Sequence, residues 1–421
     1  MNAYLFLIGL CVIIIFSFFT NMFSRKTNVP SVLILILMGV GVQQLMSYFD
    51  MEPDYFWALE VLGIVGLIMI VLEAALDLEL KKENWPIIWK SFTIASLSLG
   101  LTAVSLSFII QFFIPEINFL PALVYALPLS IMSSAIIIPS VANLTKYKKE
   151  FLIYESTFSD ILGIMVFYMI IENLNVEGMR QLSFAIGSNI VLTLIISLVL
   201  CYGLLYIIQN IKGDAKFFLF LAVLVLLYAV GKMFHLSSLI IILMFGLLLR
   251  NYKVLLFGRL RKWLNDSRID GVFDQFKMIT TETAFLVRTF FFVVFGMTLP
   301  IASLFTWKVW LISVIFLAVT YVLRFGLFYL VERKDSPLPQ TFIAPKGLIT
   351  ILLFFAIPES LRAERFEAAV LFVVIIATSL IMAWALIATK STNKKNEDEG
   401  ESKVEENTAG EKSDVVEIPL D

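Results

Sequence analysis

Apolar residues in this chain neither alternate with polar ones as in a strand nor keep to one stripe as in a surface helix. They run on for about twenty residues, stop at a short polar linker and resume. Wound as an α-helix at about 1.5 Å per residue, such a run crosses a hydrocarbon core of roughly 30 Å. The runs place spans near 3–22, 30–48, 57–76, 91–114, 120–143, 151–174, 183–210, 216–233, 235–249, 282–300, 303–330, 340–358 and 366–388. Backbone polar groups in lipid must be satisfied internally, and continuous apolar runs suit helices rather than the alternating strands of a barrel. An all-α membrane protein of about thirteen transmembrane helices is therefore predicted.

Composition excludes a water-soluble fold. Of 421 residues 59% are hydrophobic and 16% charged, where soluble domains hold roughly 45–50% and 25%. The linkers carry charge unevenly. Every other linker is basic, with Arg25 and Lys26; Lys81, Lys82 and Lys90; Lys146, Lys148 and Lys149; Lys212 and Lys216; and Arg333 and Lys334. The linker after the ninth span is richer still, with Arg250, Lys253, Arg259, Arg261, Lys262, Arg268 and Lys277 in a stretch that reads as an amphipathic helix on the inner membrane surface. The intervening linkers carry only Arg180, Lys232, Lys308, Arg362 and Arg365. Positive charge favours the cytoplasmic side, so a multi-pass protein of the cell membrane is expected, with its N-terminus outside and its C-terminus in the cytoplasm. The first span follows Met1 with no basic segment and no cleavage motif, and reads as a retained helix.

Residues 1–390 thus form the transmembrane domain, and 391–421, polar and acidic, read as a disordered cytoplasmic tail. A solvated terminus is the plainer reading of that tail, and a regulatory or partner-binding segment is the alternative. Cys11 and Cys201 lie in apolar runs and His235 stands alone, so neither a disulfide framework nor a zinc site is built. No cofactor is implied. Without a large soluble domain, no nucleotide-binding unit or nucleic-acid partner is expected.

The informative residues are polar ones at depth, because a charged side chain at a helix centre costs roughly 2.5–3.5 kcal/mol even on lenient scales. In the sixth span, FLIYESTFSDILGIMVFYMII, Asp160 lies roughly 14 Å from the cytoplasmic end. Ser156, one turn earlier, shares its face, while Glu155 is rotated away. A hydroxyl and a carboxylate make half of a site for a hard cation; a protonated carboxyl bonding a neighbouring helix is the alternative. The fifth span holds Pro128 and Pro139 with Ser130, Ser133, Ser134 and Ser140, and the twelfth holds Pro345, Lys346 and Gly347. Two interrupted spans at matching places point to an inverted repeat, spans one to six against eight to thirteen, with two broken helices crossing at the binding site. Unwinding is expected near Pro139 and near Lys346 and Gly347, close to Asp160; ordinary proline kinks are the alternative. Arg324 in the eleventh span either snorkels or pairs with Glu155, which lies at a similar depth. Glu73, near the inner end of the third span, is a further candidate, whereas Asp77 reads as interfacial.

These residues resemble a known family, the monovalent cation:proton antiporters, the superfamily of NhaP-like sodium/proton exchangers. YESTFSDILGIMVF is similar to the family's E-S-x-x-N-D-G-x-G-x-x-x-F stretch, with Glu155, Ser156 and Asp160 in register. LEAALDLEL, LSSLIIILMFGLLLRN, FFFVVFGMTL and APKGLITILLFFAIP resemble its third-, ninth-, tenth- and twelfth-helix motifs, and Arg324 its intramembrane arginine. The resemblance implies a homodimer in which a core domain moves against a dimerisation domain. It makes Asp160 the shared ion and proton site, Ser156 a ligand, and Glu155 with Arg324 a structural ion pair. The chain departs from the pattern in three places. Ile137, Ile138 and Pro139 stand where many members have T-D-P, so Ser133 and Ser134 are the substitute ligands. Ser159 replaces Asn, and Lys346 replaces Arg, which unlike lysine cannot deprotonate.

The expected function is secondary transport, exchanging sodium or potassium for protons by alternating access and electroneutrally. A transporter of another solute or a non-transporting ion sensor on the same scaffold is the alternative. A membrane-embedded enzyme fits less well, since one histidine supports neither a zinc nor a serine–histidine centre.

Overall fold

The apolar runs become helices in a computed structural model of the chain. The described residues are 3–27, 31–48, 56–141, 144–172, 238–256, 266–298, 304, 306–331, 337–361 and 369–389, with short stretches between 192 and 233. Every regular element among them is helical. The longer helices are α1 (Ala3–Thr27), α2 (Ser31–Tyr48), α3 (Phe56–Asp77), α4 (Trp85–Phe113), α5 (Phe119–Ser130), α6 (Ser134–Ser140), α7 (Lys146–Glu172), α8 (Ser238–Leu255), α9 (Asp266–Met297), α10 (Trp307–Val331), α11 (Leu348–Phe355) and α12 (Ala369–Thr389). Seven helical stretches among the described residues, with α5 and α6 counted together, are long and apolar enough to cross a bilayer. Much of the expected seventh and eighth spans, and all of the 391–421 tail, lie outside the described residues.

The helices pack in two groups. α9 runs along α2 and α3, α8 along α3, and α1 against α2 and α9. In the other group α4 lies against α5, α7 and α10, while α5, α6 and α11 pack on α7. Contact between the groups is thinner and falls where α7 and α11 meet α3, and where α7 meets α8. Apolar side chains of both groups nevertheless join one buried cluster, so the seam between them is largely apolar.

One expectation is corrected. Arg268 and Lys277 do not belong to a separate surface helix, because α9 runs as one 32-residue helix from Asp266 into the apolar segment. Two charges of its first half pair within the protein: Lys277 with Asp77 of α3 at 2.8 Å, and Asp270 with Lys253 of α8 at 2.7 Å. Sequence periodicity reports an amphipathic face but not whether water, lipid or another helix meets it.

Candidate functional site

The fifth span is broken, but not at its prolines. α5 ends at Ser130, residues 131–133 are extended, and α6 starts at Ser134. Pro139 lies inside α6, so the expected unwinding near it is a misplacement. Only one intrahelical bond, to Ala135, is forgone at Pro139, and the short helix survives that loss. The break sits where other elements satisfy the freed backbone groups. Met132 N–H donates to Ser159 Oγ at 3.0 Å, Ser133 N–H to Pro345 O at 2.9 Å, and Ser134 N–H to Asp160 Oδ2 at 2.9 Å. Ile137 is fully buried in the apolar core. The residues beside Asp160 are therefore Ser133 and Ser134, and Ile137 to Pro139 continue away along α6.

The twelfth span is interrupted over 343–347, between a 3-10 turn at Gln340–Phe342 and α11. Its extended part crosses that of the fifth span through the Ser133 to Pro345 bond. Gly347 permits the approach, since a Cβ there would fall 2.7 Å from Ser133 Cβ. Lys346, 1% exposed, donates from Nζ to Ser130 O at 3.0 Å, and its N–H donates to Thr378 Oγ1 of α12 at 3.0 Å. Its ammonium thus meets a free carbonyl at the C-terminus of α5, the negative end of that helix.

Asp160 stands beside this crossing, 1% exposed. Its Oδ2 accepts the Ser134 N–H, while its Oδ1 has no partner among the described residues. The carboxylate lines a small cavity at the seam between the two groups, with Ile70, Val71 and Ala74 of α3, Leu243 of α8 and Ile349 of α11. A buried carboxylate oxygen without a donor is costly, and a cation or proton is what such an atom lacks. Ser156 is fully buried one turn away, and its hydroxyl donates to Ile153 O at 3.2 Å, leaving its lone pairs to accept.

Glu155 and Arg324 form a buried ion pair, Nη1 to Oε1 at 2.7 Å and Nη2 to Oε2 at 3.3 Å. Arg324 also donates to the carbonyls of Gln340, Thr341 and Ile343 at 3.0, 3.2 and 3.4 Å. One guanidinium thereby ties α7 to the interrupted span, using the fixed fork that lysine lacks. Glu73 lies apart from this assembly. Arg288 Nη2 of α9 donates to both of its oxygens at 3.2 Å. Sequence reasoning passed over Arg288, whose signal was a lone arginine in the apolar stretch AFLVRTFFF. It also passed over Thr378 and Tyr154, which look unremarkable until their partners are known. Among the described residues no three His, Cys, Asp or Glu side chains cluster as for a resident metal.

The sequence profile of a family described as sodium/hydrogen exchanger, transmembrane, matches residues 12–389. The fold is similar to a solved structure of the sodium proton antiporter MjNhaP1 from Methanocaldococcus jannaschii at pH 8, with a TM-score of 0.67 and 17% identity over 92% of this chain and 95% of that one. An electron-microscopy map of the same antiporter gives a TM-score of 0.63 at 17% identity, over 93% of this chain and 96% of that one. No curated protein sequence matches the chain.

Proposed function

The chain belongs to the sodium/hydrogen exchanger family, and from that premise we propose that it exchanges a monovalent cation, sodium or potassium, for protons at Asp160. It is a multi-pass membrane transporter rather than an enzyme. The observation that carries the reading is Asp160 itself: a buried carboxylate at a crossing of broken helices, lining a cavity at the seam, with one oxygen held by Ser134 and the other without a donor among the described residues.

The chemistry follows from charge. A bare carboxylate cannot be carried through an apolar seam cheaply, but a carboxylate neutralised by one cation or one proton can. Alternating access then couples the two ions, because the two helix groups shift past each other only when Asp160 is loaded. Ser133, Ser134 and Ser156 offer hydroxyl or backbone oxygens to the cation, which is cargo rather than cofactor. Ser159 supports the break by accepting the Met132 N–H. Glu155 is neutralised by Arg324, and Lys346 is engaged with Ser130 O. One exchangeable carboxylate remains, which supports electroneutral exchange, one cation against one proton. Glu73, bound to Arg288 and adjoining the cavity residue Ala74, is assigned a supporting role. The protein works in this reading as a homodimer in the cell membrane, N-terminus outside and acidic tail in the cytoplasm.

Purified protein in vesicles loaded with a pH-sensitive dye tests the proposal. Sodium, potassium or lithium, added singly, should collapse a preformed pH gradient for at least one cation, and Asp160→Asn should abolish that response. Failure of all three cations with well-inserted protein would sink it.

A further inference from the structure

The strap Leu78–Lys81, which joins α3 to the turn before α4, is tied to the two helix groups very unequally. On the α8 side Asn251 Nδ2 donates to Leu78 O at 2.8 Å, Leu80 N–H donates to Asn251 Oδ1 at 2.7 Å, and Arg250 pairs with the Glu79 carboxylate at 2.6 Å. On the α7 side one polar tie is seen among the described residues, from Tyr154 OH to Glu79 O at 2.9 Å. Below the strap, Leu78, Tyr154 and Phe158 form a small buried apolar cluster with Ile88 and Ala95, and Leu247 and Ile161 pack against it. This layer is thin. Ile161 and Ala74, the latter accepting the Leu78 N–H, already line the Asp160 cavity, whereas the side chains of Glu79 and Lys81 are 40% and 54% exposed.

We infer that Tyr154 is the latch that closes the path between Asp160 and the membrane face on which the strap lies. The inference rests on Asp160 being the carrier site. The Tyr154 ring belongs with its own group, stacking on Phe158, which meets Phe92 of α4 edge to face. The ring packs with Leu78 in the apolar cluster, and the hydroxyl alone makes a polar bond to the strap among the described residues. The ties from Asn251 and Arg250 stay within the α3 and α8 group and survive a movement of α7. The Tyr154 bond bridges the seam, so opening Asp160 toward this face must break it and lift Phe158 off Leu78. Tyr154 is a positioning residue in this scheme, setting the balance between closed and open forms without touching the ion.

Tyr154→Phe removes one oxygen and keeps the ring packing, so it isolates the latch. One hydrogen bond corresponds to a population shift of about fivefold. The full chain, with Cys11→Ser and Cys201→Ala and a probe thiol introduced by Ala74→Cys, is reconstituted in vesicles. A charged, impermeant thiol reagent is then applied from the strap's face. Labelling should be about fivefold faster with Tyr154→Phe, and also faster with Phe158→Ala, which thins the same layer. Equal rates with and without Tyr154→Phe overturn the latch, including the case where Phe158→Ala alone accelerates labelling. Labelling needs no transport, so this result stands apart from success or failure of the antiport assay. Where antiport is measured, Tyr154→Phe should lower the apparent KM for the cation at the strap's face and raise it at the opposite face. A shift in the same direction at both faces, as from a merely structural defect, also overturns it.

Discussion

The two carboxylate oxygens of Asp160 are placed differently, and the proposed exchange turns on that division. Oδ2 is fixed by the Ser134 N–H, while Oδ1 is free of protein donors among the described residues. Asp160→Asn keeps the size and an acceptor for Ser134 but removes the charge. Exchange should fall to background while the variant inserts and elutes as the parent does, and exchange retained would exclude Asp160 as the carrier. If cation and proton share this oxygen, they compete: the apparent KM for sodium should rise as pH falls, with the maximal rate still reached at high sodium. A KM flat across a pH series would contradict the shared site. Glu155 and Arg324 act together instead. Truncating one leaves the other charged and buried, at a cost of roughly 3–5 kcal/mol. Glu155→Leu should therefore lower the thermal midpoint sharply, and Arg324→Lys should not restore the parent's stability, because an ammonium cannot serve Glu155 and three carbonyls at once.

At the scale of elements, the break between α5 and α6 is held by its surroundings rather than by its own sequence. Gly163 of α7 packs under it, and a Cβ there would collide with the Ile131 side chain. Gly163→Ala should cost about 1–3 kcal/mol through overpacking and depress exchange by displacing Met132 to Ser134. Adding Ile131→Ala should recover part of both losses. Thermal unfolding in detergent together with vesicle transport checks this, and a fully additive double variant would show that the two sites are uncoupled. The same logic explains why Pro128 and Pro139 mislead. A proline marks where a helix can afford to lose a bond, whereas the break forms where Ser159, Pro345 and Asp160 supply partners.

For the whole molecule, the division into two helix groups with an apolar seam is what the proposed alternating access would use. In the proposed cycle, with Glu155 paired and Lys346 donating to Ser130 O, one charge enters and one leaves. The rate of sodium-driven proton flux should then be unchanged when potassium and valinomycin impose an inside-negative potential. A voltage-dependent rate would instead assign a second proton to Lys346, released when the cation binds.

The sequence by itself determined the solvent and the fold class. Runs of about twenty apolar residues leave the backbone no alternative to helices in lipid. It also singled out Asp160, Glu155, Arg324 and Lys346, because ionisable groups at depth are too costly to be incidental. The tertiary structure alone decided which groups meet. It placed the break at residues 131–133, turned Glu73 to Arg288, set Lys346 on Ser130 O and made Tyr154 a bridge to Glu79. Hydropathy is a property of each residue and its neighbours along the chain. A hydrogen bond between Ser133 and Pro345, or between Tyr154 and Glu79, depends on two distant segments arriving together, and no local pattern encodes that meeting.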